Sequence, residues 1–247
     1  MRKTKRLGLS AATVGVLADM QKRVNKASTP SQEAVRLWEK KTSSHKRKNA
    51  FLEVNRMLAK MASGRSRCMY CEDNEGTDIE HFWPRSTYPA SAFEWANYLL
   101  ACSGCNSNEK RAQFPVDSKG MPMLVNPVDD EPVEHFILVP ETGYLIGTTE
   151  RGVASEDVFG LNRRESLVDG RRDAFVTVCV SLRAYHRARL RNRDAYAKQI
   201  ATALARMSFA SVLQFIVNAE VGHGVPPDVV EIVKLYPEVR QWAGLLA

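Results

Sequence analysis

Several features are missing from this 247-residue sequence, and each absence excludes a class of protein. No run approaches the roughly 18 consecutive apolar residues that a membrane-spanning helix needs. The basic start, MRKTKRLGLS, is not followed by the apolar segment and cleavage site of a signal peptide, so we expect a cytoplasmic protein. Nothing resembles a phosphate-binding Gly-Lys-Ser/Thr loop. Any nucleotide-driven step would therefore have to come from another chain.

Acidic residues are scarce in the first part of the chain. Residues 1–67 hold 17 Lys/Arg and 4 Asp/Glu, whereas residues 68–247 hold 18 and 24, and the whole chain carries +7. This asymmetry favours an acidic partner, with nucleic acid as the first candidate. A solvated basic segment that only aids solubility is the alternative.

Cysteine is also scarce, but four of the five cysteines form two Cys-x-x-Cys pairs, Cys68/Cys71 and Cys102/Cys105. In a reducing compartment this spacing favours a metal over disulfides. Four thiolates make a closed, structural Zn²⁺ site. A redox Cys-x-x-Cys is the alternative, but such motifs usually occur singly. Cys179 stands in an apolar stretch and is interpreted as a buried small hydrophobe.

The pattern along the chain predicts an α+β protein, mostly helical, around a zinc-stapled central module. Four regions are expected: a basic helical region (1–67), the zinc-stapled module (68–115), a strand-rich extension (116–160) and a helical C-terminal region (161–247). In the first region, Ser10 can cap one helix and Pro30 can open a second. A third helix is expected at about 49–61, after a polar basic link at 40–48.

Turn signals divide the rest of the chain into short strands and longer helices. Strands are predicted at Met123–Val125, Phe136–Val139 and Tyr144–Ile146. Helices are predicted at 163–192, with an interruption near Gly170, and at 193–207, 209–219 and 227–243.

The segment between the cysteine pairs contains the residues that phosphodiester hydrolysis needs: a base, a divalent cation and groups that orient them. His81 is a suitable base, and Glu80 is a hard oxygen ligand for Mg²⁺ or Mn²⁺. Neighbours on a regular strand point to opposite faces, so a strand end, bulge or loop is required for both to enter one site. Taken singly, a histidine is more often structural and a glutamate more often a solvated acid.

Further polar residues follow in the same segment. Asn97 and Asn106 can orient groups or offer a carbonyl oxygen to a metal, although an isolated asparagine is more often a turn or cap residue. Arg85 and Lys110 are candidate phosphate contacts.

The string C-x-x-C, EHFWP and W-x-N-x-L-x-x-C-x-x-C-N closely resembles the zinc-stapled branch of the HNH nucleases. The resemblance implies a ββα (His-Me finger) fold that holds one catalytic divalent metal. It also implies that His81 is the general base, that Glu80 ligates the catalytic metal and that Asn97 orients the base or its loop. Asn106 would complete the metal site.

This sequence departs from the family's pattern at two positions. The third motif residue is Asn106 rather than histidine, and Asn108 is an alternative for it. The trailing lysine corresponds to Lys110, one residue further from Asn106 than usual.

The resemblance extends over roughly residues 65–175, through FPVD (114–117), LVNPVDDEPVEHF (124–136) and GLNRRESLVDGRR (160–172). These segments resemble HNH nucleases of prokaryotic anti-phage systems, in particular the nuclease subunit of Septu systems and retron-associated HNH proteins. The resemblance implies a nucleic-acid substrate, with DNA favoured, and a partner ATPase of the PtuA type. A non-catalytic zinc module that binds nucleic acid or protein is the competing interpretation. The second EHF, at 134–136, lacks nearby cysteines and is interpreted as the start of a strand.

One basic stripe lies outside this region. Arg183, Arg187 and Arg191 recur every four residues along a predicted helix. Either a phosphate-tracking face or a solvated face that meets a partner protein would account for it.

Overall fold

The computed structural model describes residues 1–219 and 224–242. Within these ranges, helices occupy most of the chain: α1 (Ala11–Lys26), α2 (Pro30–Glu39), α3 (His45–Met61), α4 (Glu150–Val158), α5 (Glu165–Leu190), α6 (Asp194–Ala205), α7 (Ala210–Asn218), α8 (Pro227–Leu235) and α9 (Glu238–Trp242). The strands form two antiparallel pairs: β1 (Asp78–His81) with β2 (Tyr98–Ala101), and β3 (Phe136–Val139) with β4 (Tyr144–Gly147). The prediction of a mixed, largely helical protein is confirmed.

The N-terminal helices begin at residues that the sequence marks. Ser10 Oγ accepts a hydrogen bond from the Thr13 amide, and α2 begins at Pro30, both as predicted. The third helix begins earlier than predicted, at His45, because Ser44 caps it by accepting from the Arg47 amide at 3.4 Å. The basic link is therefore shorter than the expected 40–48.

A short π-helix (Gly104–Lys110) follows β2 directly. Its wide turn is seen in the hydrogen bond from the Arg111 amide to the Asn106 carbonyl, five residues back, at 2.7 Å. Both strands therefore lie between the two cysteine pairs, and the second pair lies at the junction of β2 and the π-helix. In the β1–β2 register, Glu80 lies opposite Leu99 and His81 opposite Tyr98.

The strand-rich extension differs from its prediction in two respects. β3 and β4 lie where they were expected, but the strand at Met123–Val125 is wrong. At Leu124 and Val125 the backbone bonds to side chains instead of a ladder: the Val125 amide donates to Ser155 Oγ at 2.7 Å, and Arg151 donates to the Leu124 carbonyl at 2.7 Å. Both of these partners belong to α4, a helix that the turn signals did not predict.

The C-terminal helices correct two further predictions. α5 continues through Gly170, and the reason for the glycine is packing, since a Cβ atom there would lie 2.5 Å from the ring of Phe209. The single helix expected at 227–243 is divided into α8 and α9 because Pro237, which follows α8, cannot continue it. Residue 243 lies outside the described residues.

The buried side chains form one cluster that runs from α1–α3 through β2 to α7. Cys179 lies in this core, as predicted. The arginine stripe on α5 is not uniform, because Arg183 forms an ion pair with Asp228 (Nε to Oδ2, 2.5 Å) while Arg187 and Arg191 are exposed.

Taken singly, no described helix is both long and apolar enough to cross a bilayer. Only α6 and α7 taken together meet those limits, by length and composition alone, and they meet at a 112° bend.

Candidate metal centre and active site

The two Cys-x-x-Cys pairs converge on one point beneath β1 and β2. The first pair lies in a turn that is tied to β2 by the Met69 amide, which donates to the Leu100 carbonyl at 2.8 Å. The second pair joins β2 to the π-helix. The four sulfur atoms lie within 4.8 Å of one another, and all four cysteines are buried.

The spacing of these sulfurs fits Zn²⁺. Cys71 Sγ and Cys102 Sγ are 3.8 Å apart, and Zn–S bonds of about 2.3 Å in a tetrahedron give an edge of about 3.8 Å. Burial raises the pKa of the Cys68 thiol well above its usual range, so a cation is needed to hold this sulfur as a thiolate. The cluster therefore fits a structural zinc site, in which four thiolate ligands would leave no open position for chemistry.

Arg164 contacts the cysteine cluster from outside its four ligands, which the sequence pattern did not indicate. Its Nη2 donates to Cys105 Sγ at 3.1 Å and to the Phe159 carbonyl at 3.0 Å. A cation at this point offsets part of the negative charge of a four-thiolate zinc site. It also connects the zinc module to the start of α5.

A polar cavity of about 550 Å³ opens beside the zinc module, between β1, the π-helix and the end of α2. It is lined by four of the six non-cysteine residues predicted for the site, Glu80, His81, Arg85 and Asn106, and by others that include Trp38, Lys41, Asp78 and Arg111. Asn97, Asn108 and Lys110 do not line it. Glu80 and His81 both reach this cavity, and His81 is the last residue of β1.

His81 is buried and held in one tautomer. Its Nε2 lies 2.9 Å from the Ala92 carbonyl, which can only accept, so Nε2 carries the proton and Nδ1 is left with the lone pair. The edge of the Trp38 ring packs against the imidazole, with centroids 4.3 Å apart. Burial, assisted by the nearby Arg85, lowers the pKa of His81 to about 3. The imidazole is therefore neutral near pH 7 and its Nδ1 lone pair is available, but burial also makes it a weaker base than a free imidazole.

Glu80 is a buried carboxylate with one close cation. Lys110 Nζ lies 2.7 Å from Glu80 Oε1 and donates to the His81 carbonyl at 3.0 Å. Burial raises the pKa of Glu80, and the Lys110 charge partly counters this.

The π-helix accounts for the unusual position of Lys110. A π turn takes one more residue than an α turn. In this π-helix, a lysine four residues after Asn106 can therefore face β1. In an α-helix, the lysine that faces β1 would come three residues after Asn106. Lys110 is fully buried against Glu80, so a phosphate contact from Lys110 would require this ion pair to open.

Asn97 organises the loop between β1 and β2. Its Oδ1 accepts from the Trp83 amide at 2.7 Å, and its Nδ2 donates to the carbonyls of Trp83 at 3.0 Å and Ser91 at 2.9 Å. The loop that Asn97 closes also contains Ala92, whose carbonyl holds His81. The asparagine thus reaches the base through the loop and not by direct contact.

Asn106 lies at the cavity, whereas Asn108 is exposed outside it. Asn106 Nδ2 donates to Asp78 Oδ2 at 3.1 Å. Asp78 is a cavity residue that sequence reasoning missed, although its spacing of two from Glu80 on one strand places both carboxylates on the same face. Within the described ranges, however, only the four cysteines bring three or more acidic, histidine or cysteine ligand atoms into one close group.

Arg85 contributes a partly buried cation to the cavity. Its guanidinium lies over the Trp38 ring, 5.4 Å from the centroid. Its Nε is buried and has no hydrogen-bond partner among the described residues. Such a group is costly to bury unless a ligand completes its hydrogen bonds.

Comparison with known proteins gives a partial relationship. No family model matches the chain. The chain is similar to the Septu protein PtuB of Bacillus thuringiensis, with 32% identity over 116 residues. The matched part covers 45% of this chain and 42% of that relative, so the chain spans less than half of the length of the curated relative.

Proposed function

We propose that the chain is a metal-dependent HNH-type endonuclease that hydrolyses phosphodiester bonds, with DNA as the favoured substrate. In this proposal β1, β2 and the π-helix form the ββα element. The carrying observation is the state of His81: a neutral imidazole, with Nε2–H fixed to a backbone carbonyl, that lines a cavity together with Glu80 and Asn106.

His81 acts as the general base. Its Nδ1 accepts a proton from the attacking water, and the Ala92 carbonyl stabilises the imidazolium that results. Trp38 holds the ring in place. Asn97 is a positioning residue, because it fixes the loop that supplies the Ala92 carbonyl.

Glu80 and Asn106 hold the catalytic Mg²⁺ or Mn²⁺, and Asp78 adds a second carboxylate on the same face. The oxygen donors fit this type of ion, since Mg²⁺ keeps several waters and needs only one or two protein carboxylates. The bound cation supplies neutralisation of charge on the scissile phosphate and the leaving oxygen. Lys110 keeps the buried Glu80 ionised and oriented.

Arg85 binds a phosphate oxygen of the substrate. Its unpartnered Nε and its place in the cavity support this assignment. Lys110 is assigned to Glu80 in preference to the substrate because its ammonium is already enclosed.

The biological setting is prokaryotic anti-phage defence of the Septu type, in the cytoplasm and with a partner ATPase that licenses cleavage. Similarity to a Septu protein over 116 residues supports this setting. The sequence contains no phosphate-binding loop of its own, so control by nucleotide would come from the partner.

The test compares the chain and its His81→Ala variant in a cleavage assay with Mg²⁺ or Mn²⁺, with the partner ATPase present. Loss of a general base lowers the rate by about 10²–10⁴-fold. We therefore expect the cleavage rate to fall by at least about 10²-fold. Zinc content and the unfolding midpoint are measured on the same samples. Equal cleavage by a folded, zinc-containing His81→Ala variant would disprove the assignment.

One observation favours the competing function of a non-catalytic zinc module: Glu80 already has a cation partner in Lys110. A module of this kind needs no base at position 81. It predicts that His81→Ala leaves nucleic-acid or protein binding and every defence phenotype unchanged, which is the opposite of the nuclease prediction.

A further inference from the structure

A second cavity, of about 480 Å³, lies between the end of α1 and the start of α3. We call it the basic groove, and its cations are Lys22, Arg23, Lys26, Lys46 and Arg47. Asp19 is the acidic residue among those that line it. The lysines are exposed, so the groove is open to a ligand from solvent.

These charges are little neutralised within the described part of the protein. Arg23 lies 3.9 Å from Glu33, which is bound more closely by Arg36 at 2.6 Å. Lys22, Lys26 and Lys46 form no ion pair with any described residue. Like charges at i and i+4, such as Lys22 and Lys26, destabilise a helix slightly.

The stability of the fold does not explain the position of the charges on α3. Cations are favourable at a helix C-terminus and unfavourable at an N-terminus. Lys46 and Arg47 lie in the first turn of α3, which contains no acidic residue. This placement of positive charge at a helix N-terminus is unfavourable in the isolated protein. A bound polyanion would make it favourable, because its negative charge would neutralise the cations.

The segment between α2 and α3 links the basic groove to the active-site cavity along the chain. Lys41 lines the active-site cavity, whereas Ser44 and Arg47 line the groove. Arg47 Nη1 also contacts the Lys40 carbonyl at 3.4 Å. The six residue steps from Lys41 to Arg47 span at most about 21 Å, which corresponds to about six phosphate steps along one strand.

We infer that the basic groove binds the phosphate backbone of the nucleic acid whose scissile bond lies in the active-site cavity, within about six nucleotides of the cut. The inference rests on the proposed function for the location of the cut. The groove itself would read charge and not sequence, because cations that contact phosphates carry no base information.

The experiment measures binding of a labelled 30-base-pair duplex, and of one of its strands, to the zinc-loaded full chain carrying His81→Ala. The test variant adds Lys22→Gln, Lys26→Gln and Lys46→Gln. The control variant instead adds Lys60→Gln, Lys119→Gln and Lys198→Gln, three exposed lysines outside the groove with the same change of charge. Binding is followed across a range of salt concentrations.

We expect the groove variant to bind at least about tenfold more weakly, and the slope of log K against log salt to fall by about 2.7 on duplex, since each phosphate contact contributes about 0.9. The control variant should lose much less. Equal losses in the two variants, or no binding by the His81→Ala chain at low salt, would overturn the inference. So would a groove variant that loses a partner protein while it retains nucleic acid.

The same variants separate this inference from the proposed function. If His81→Ala cuts as well as the unaltered chain but binding still depends on the groove, the nuclease assignment fails and the groove stands. If cleavage depends on His81 while groove and control variants behave alike, the groove inference fails alone.

Discussion

At the scale of single residues, the site depends on a tautomer and an ion pair that the residue types alone do not specify. The sequence identifies His81 as a candidate base, but its tautomer is set by the Ala92 carbonyl, eleven residues away across a loop. Glu80 is identified as a ligand, but its ion pair with Lys110 depends on the π turn that brings the lysine back to β1. The motif points to the adjacent residues Glu80 and His81. It gives no sign of Asp78, which shares a strand face with Glu80 because it lies two residues before it.

The pair of Glu80 and Lys110 gives a prediction about stability. Lys110→Met leaves the buried carboxylate without its cation, and breaking a buried ion pair costs about 3–5 kcal/mol. We expect a loss of this size in the free energy of unfolding, measured with urea in buffer that contains zinc but no magnesium. Glu80→Gln in the same chain should restore most of it, because the amide needs no counter-ion.

Lys60→Met is the matched control for this experiment, since Lys60 is exposed at the end of α3. A surface change of this kind should stay within about 0.5 kcal/mol. If Lys110→Met costs no more than Lys60→Met, the role assigned to Lys110 is wrong.

At the scale of elements, capping residues and prolines predicted element boundaries better than hydrophobic periodicity did. Caps and prolines located the starts of α1 and α2, because a cap acts within three residues of itself. The strand predicted at Met123–Val125 failed because the backbone of Leu124 and Val125 bonds to side chains of α4, about 30 residues later. Gly170 was misread for a similar reason: the ring of Phe209 that requires it comes from a distant turn.

The β1–β2 pair has only four residues in each strand, too few for a stable two-stranded sheet in water. Binding of a structural zinc can contribute on the order of 10 kcal/mol. We therefore expect Cys105→Ser to lose zinc and to expose the amides of β1 and β2 to rapid hydrogen exchange, with loss of cleavage as a consequence. Zinc per chain is measured by elemental analysis.

Cys179→Ser is the control, because Cys179 is buried in α5 away from the zinc cluster. It should keep one zinc per chain and the exchange protection of β1 and β2, even if the fold becomes less stable. A Cys105→Ser variant that keeps both its zinc and its protection would contradict the account.

At the scale of the whole molecule, the distribution of charge and the position of the site agree. The basic N-terminal helices pack against the sheet that carries Glu80 and His81, and Trp38 of α2 contacts the proposed base directly. Residues 1–67 therefore contribute to the site, which the four-region division of the sequence did not predict. Such a contribution depends on tertiary packing, and no local pattern encodes it.

The proposed function requires two metal sites with different roles: a structural zinc at the four cysteines, and a catalytic cation between Glu80 and Asn106. The most direct test is a crystal soaked in Mn²⁺, with anomalous maps recorded on both sides of the zinc absorption edge. We predict a zinc peak among the four sulfurs and a manganese peak in the active-site cavity, in contact with the Glu80 carboxylate and absent in Glu80→Ala. Manganese at the cysteines alone, or in the cavity regardless of Glu80, would contradict this account.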